Sequence, residues 1–89
     1  MTTPWQRYQA GQSGVFSRRI YTLNGQATYD DMRKRLQSDA AFARTAQQYV
    51  AEFEQMLSRA GSAQEARQTL LTNEGKVFTM LAHASGRLN

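Results

Sequence analysis

Residues 39–61, DAAFARTAQQYVAEFEQMLSRAG, decide the fold of this 89-residue chain. With successive residues set ~100° apart around a helix axis, Phe42, Ala46, Tyr49, Val50, Phe53, Met56, Leu57 and Ala60 share one arc roughly 120° wide. Arg44, Gln47, Gln48, Ala51, Glu54, Gln55, Ser58 and Arg59 fall on the opposite side. This is the pattern of a long amphipathic helix with one packing face. Asp39 can cap its first turn through the carboxylate, and Gly61 can end it in the left-handed conformation.

Working outward, two further helices follow. Ser62-Ala-Gln-Glu65 forms a capping box that opens a short helix to about residue 72, with Ala63, Ala66 and Leu70 inward. Thr72 or Asn73 can cap a last helix on which Val77, Met80, Leu81 and Ala84 share a face flanked by Phe78, with Gly86 as its stop. Upstream, Thr28-Tyr-Asp-Asp31 resembles a capping box for a helix to about residue 37. Its thin apolar stripe is Tyr29, Met32 and Leu36, with Asp30–Lys34 and Asp31–Arg35 as surface ion pairs. Short connections make these elements antiparallel neighbours. The expectation is an all-α fold, a small bundle of about four helices over residues 28–89.

Two less regular segments precede the bundle. Residues 1–14 are rich in Gln, Gly, Ser and Thr and read as a flexible arm carrying Trp5 and Tyr8. Those two rings fold back onto the bundle, dock onto a partner as interface anchors, or stay disordered. Residues 15–27 contain VFSRRIYTL and Asn24-Gly25. Here Phe16, Ile20 and Leu23 fit a helical stripe, while the β-branched and aromatic content and the Asn-Gly pair favour a strand. The segment is expected to be extended or strand-like. A strand without a second strand in the chain would pair with another chain.

Composition narrows the function classes. There is no cysteine, which removes disulfides, thiolate metal sites and cysteine nucleophiles, and a single histidine, His83, does not make the usual zinc site. A core this small calls for well-fitted helices or a second subunit, so a homodimer is one expected state. The net charge is +4, but residues 1–29 hold Arg7, Arg18 and Arg19 with no acid, whereas residues 30–89 hold eight basic and seven acidic side chains. The body is nearly neutral and the arm is basic. No apolar run reaches the ~18 residues of a membrane span, and the first residues lack the apolar region of a secretory signal. Cytoplasmic location and no membrane partner are the expectations.

The candidate chemistry is thin. His83 projects opposite the Val77/Leu81 stripe and is expected to face water, with no motif to pair it with a nucleophile. The acids do not cluster, and Gly11 and Gly14 are not followed by the lysine of a phosphate loop. The expectation is therefore no enzyme, no metal and no cofactor. The preferred function is protein–protein binding, as an adaptor, inhibitor or assembly subunit, through exposed Trp5, Tyr8, Arg18, Arg19 and Tyr21. The alternative is DNA or RNA binding through Arg18, Arg19, Arg33, Lys34 and Arg35, whose cations alternate with aromatics in the first cluster. A helix-turn-helix reading of the last two helices is weakened because the second offers a groove only Lys76 and His83.

Overall fold

The long amphipathic stretch folds as α3, Ala40–Ser58, and the other elements are arranged on its apolar face. A computed structural model describes residues 4–12 and 15–88. Its elements are α1 (Pro4–Gln9), a 3-10 turn (Arg18–Ile20), α2 (Leu23–Ser38), α3, α4 (Ala63–Leu70) and α5 (Asn73–Ala84). The fold is all-α, with α2 to α5 as the expected four-helix body and no strand among the described residues. Among those residues, no helix is long and apolar enough to cross a membrane.

Local chemistry sets most of the boundaries. Asp39 accepts the Phe42 amide at 3.0 Å, capping α3. Ser62 accepts the Glu65 amide at 3.1 Å, while the Glu65 carboxylate reaches back to the Gly61 amide at 2.8 Å. Thr72 caps α5 through the Gly75 amide at 3.0 Å. Gly86, with φ +88°, closes α5: its own amide bonds His83 O and that of Arg87 bonds Ala82 O, the paired bonds of a Schellman stop.

Two expected boundaries differ. Helix α2 begins at Leu23, not Thr28, because Thr22 accepts the Gly25 amide at 3.1 Å and serves as the cap. Thr28 lies within the helix, its hydroxyl turned back on Asn24 O. Asn24-Gly25 is thus a first helical turn rather than a hairpin. A side chain at Gly25 would sit 3.0 Å from Tyr21 Cβ, so the missing Cβ lets Tyr21 lie over the start of α2. Gly61 is also not left-handed. α3 ends earlier, at Ser58 with Arg59 as its C-terminal cap, and Gly61 serves the next helix by donating to Glu65.

Packing of α3 follows its pattern. Ala46, Val50 and Phe53 are buried, Phe42, Tyr49 and Leu57 pack at the edges, and Met56 at the arc's margin stays exposed. Phe53 stacks on Phe78 with ring centroids 4.6 Å apart, and Tyr49 donates to Glu74 O at 2.7 Å, joining α3 to α5.

Helix α5 departs most from the reading of its face. Phe78, Leu81, Ala82, His83 and Ala84 are all buried, whereas Val77, assigned to the core, is 42% exposed. The reason is that α5 is enclosed by α2, α3 and α4, so it has no single inward stripe. It meets α4 closely at the buried Gly75, where a Cβ would run into the carbonyl oxygens of Thr69 and Leu70.

Candidate functional site

The segment that joins the N-terminal residues to α2 is built from the inside out. Val15 and Phe16 are buried and anchor the chain against the bundle. Ser17 is extended, Arg18–Ile20 make one 3-10 turn, and Tyr21 is extended again before the Thr22 cap. The segment is therefore extended at its ends with a tight turn between, and it lies on the body instead of pairing as a strand.

Two polar contacts pin it there. Arg18 grips Asp30 of α2 with both carboxylate oxygens engaged, Nε to Oδ1 at 2.9 Å and Nη2 to Oδ2 at 2.7 Å. This forked geometry is the best an arginine can offer a carboxylate. The guanidinium holds the Asp30 carboxyl below its ordinary range through that hydrogen bond. The expected Asp30–Lys34 pair gives way to this contact. The expected Asp31–Arg35 pair gives way to a cation–π contact, with Arg35 stacked 4.2 Å above the Phe42 ring.

The second pin is the Tyr21 hydroxyl, 2.8 Å from His83 Nδ1. His83 is only 4% exposed, which corrects the expectation that it faces water. Its ring lies 4.6 Å from Tyr29, 5.7 Å from Tyr21 and 5.9 Å from Phe16, centroid to centroid. Burial among these rings lowers the His83 pKa, and a backbone bond to Phe16 opposes the shift. Nδ1 and the Tyr21 hydroxyl share one hydrogen bond, whose donor follows the imidazole tautomer. Burial also raises the Tyr21 hydroxyl to about 12, so it keeps its proton. Tyr21 in turn stacks on Tyr29 at 5.6 Å, and Gln26 donates to its carbonyl at 3.2 Å.

The consequence is a fixed corner. With Arg18 and Tyr21 held down, Ile20 and Leu23 point outward, 37% and 84% exposed, beside the exposed Arg19. A leucine that exposed on the first turn of a capped helix is not used by the fold. Neither the cleft between α2, α3 and α5 nor the one between α1, α3, α4 and α5 is lined by Tyr21 or His83.

The remaining expected site residues are distributed differently. Trp5 is half-buried, edge-on to Phe16 at 5.1 Å and stacked over Phe78 at 6.2 Å, so its ring covers the core. Tyr8 packs edge-on to Trp5 and Phe16 while remaining 37% exposed. Pro4 takes the first helical position of α1, where its missing N–H costs nothing. Tyr21 is half-buried and not an exposed contact. Arg33 and Lys34 are exposed on α2, apart from Arg35, which lies on Phe42.

Sequence reasoning missed Ile20 and Leu23 as outward groups and His83 as a buried one. The Phe16–Ile20–Leu23 spacing held the available signal, but only Phe16 of the three is buried. Among the described residues, no group of three His, Asp or Glu side chains could hold a metal ion. No family model, curated protein or solved structure matches this chain.

Proposed function

We propose that this protein acts by binding another protein, as a cytoplasmic, non-enzymatic adaptor, inhibitor or assembly subunit, and that the corner Arg18–Leu23 is the contact surface. The observation that carries this reading is Leu23, 84% exposed next to exposed Ile20 on a segment fixed by Arg18–Asp30 and Tyr21–His83. Apolar side chains held in one geometry bind at a lower ordering cost than the same side chains on a mobile arm. The partner chemistry that fits is an apolar pocket edged by a carboxylate for Arg19. Tyr8 extends the reading as a half-exposed aromatic. Trp5 and Tyr21 contribute by holding the surface in place rather than by touching the partner. A second copy of the chain is one such partner. DNA or RNA binding through Arg18, Arg19, Arg33, Lys34 and Arg35 has less support, since Asp30 and Phe42 already occupy Arg18 and Arg35.

The test is site-specific photocrosslinking in the native host, with the crosslinking side chain at position 23 and, as a control, at the exposed position 71. The reading expects a discrete protein adduct from position 23 that disappears with Ile20→Asp, and none from position 71. Adducts to nucleic acid, no adduct, or adducts indifferent to Ile20→Asp would overturn it.

A further inference from the structure

A cleft of about 360 Å³ opens between α2, α3 and the C-terminal end of α5, and of its lining residues Arg33 also acts on the corner by opposing charge on His83. Its volume lies in the range of small-molecule sites. The space exists because α3 and α5 bring alanines here, Ala46 and Ala84 among them, where larger side chains would close the gap. Val50 and Leu81 complete an apolar floor that is buried at the bundle core.

The walls carry guanidinium, carboxamide and hydroxyl groups. Arg33 and Gln37, one helical turn apart on α2, face Gln47 across the opening, and Arg87 stands at the end. Among the described residues, no carboxylate lines the cleft. Arg87 already has Glu54 at 2.6 Å, outside the cleft, whereas Arg33 makes no ion pair among the described residues. The carbonyls at the end of α5 do not answer Arg33 either, because Leu81, Ala82 and His83 O accept the amides of Ser85, Arg87 and Gly86. An unpaired guanidinium beside an apolar floor is complementary to an anion carrying a hydrocarbon body.

We propose that this cleft binds a small amphipathic carboxylate, its tail on Ala46, Val50 and Leu81 and its carboxylate on Arg33 with Gln37 and Gln47 as further donors. The ligand class is a free medium-chain monocarboxylic acid. Arg33 is exposed on α2, so replacing it leaves the bundle's packing alone.

The experiment titrates the whole protein with octanoate, octanol and octylamine by calorimetry, with amide chemical shifts locating the site. Saturable octanoate binding is expected, with shifts at positions 46, 50 and 81, and octanol weaker by about tenfold, the worth of one charge-assisted contact. Octylamine should bind more weakly still. Arg33→Gln should bring octanoate to the octanol level while leaving octanol binding unchanged. Ala43→Leu, which extends a lining side chain into the space, should weaken both. Equal binding of octanol and octanoate, preference for octylamine, no saturation by octanoate, or an Arg33→Gln variant that keeps the preference would each overturn the proposal. So would much tighter binding of a leucine-terminated peptide with a free C-terminus, which would make the occupant a protein end.

Discussion

Removing one oxygen from the corner tests whether it is pinned as described. Tyr21→Phe keeps the ring that stacks on Tyr29 and lies beside His83, and deletes only the hydroxyl 2.8 Å from His83 Nδ1. His83 is 4% exposed, so its Nδ1 is left without that partner or ready access to water. An unsatisfied buried polar group costs ~1–3 kcal/mol, and about 2 kcal/mol is expected here because a buried ring nitrogen is left bare. In a domain of this size that lowers Tm by about 10 °C. His83→Phe removes the other partner and strands only a half-buried hydroxyl that water can reach, a loss of about 1 kcal/mol. The double variant should lose less than the two singles together, with a coupling of about 1 kcal/mol. Urea unfolding followed by circular dichroism, at slightly alkaline pH, measures all four proteins. Additivity to within about 0.5 kcal/mol would refute the reasoning, because the groups would then not be sensing one another.

The same pair gives the protein a pH signature. His83 titrates below its ordinary 6.5 in the folded chain, so the unfolded chain binds its proton first as pH falls. Stability from this group is present above about 6.5 and is lost as pH drops toward the folded value, with a slope of up to about 1.4 kcal/mol per pH unit. Tyr21 does the opposite at high pH: raised from 10.0 to about 12, it favours the folded state until the unfolded chain ionises, so stability falls across that window. His83→Phe should flatten the acid limb and Tyr21→Phe the alkaline one.

Two packing predictions follow. Gly75→Ala, although it raises helix propensity by about 1 kcal/mol, forces a Cβ onto the Thr69 and Leu70 carbonyls and should cost a net ~2–3 kcal/mol, whereas Gly61→Ala meets only the end of the Glu65 side chain and should stay within about 0.5 kcal/mol of wild type; denaturant midpoints separate them. Phe53→Ala should cost ~3–5 kcal/mol in the same assay by opening a cavity against Phe78, and a loss under about 1 kcal/mol would sink the core assignment.

What the residues disclosed in advance was whatever depends on short-range chemistry. The α3 stripe, the Asp39 cap, the Ser62–Glu65 box, the Thr72 cap and the Gly86 stop each involve groups within a few positions of one another, and each is present. Two of the readings that differ from the structure depend on partners outside their own element. His83 reads as exposed if α5 has one packing face, but Tyr21, 62 residues earlier, meets it on another. Asp30 reads as a partner for Lys34 one turn away until Arg18 reaches it from the preceding segment. Thr28 reads as a cap because Asn24-Gly25 reads as a turn, although the cap that starts the helix earlier, Thr22 on the Gly25 amide, is equally local. Within the basic stretch read as the candidate surface, the inward and outward residues differ from the reading: Tyr21 packs inward and Leu23 outward.

Whether that stretch is a fixed surface is the claim on which the proposed binding role depends. Backbone amide relaxation of the free protein at Arg19, Ile20, Tyr21 and Leu23 measures it directly. The structure predicts order parameters near 0.85, equal to those of α3, because both pins act without a partner. Values below about 0.6 across these residues would mean a mobile arm that orders only on binding, and would contradict the account.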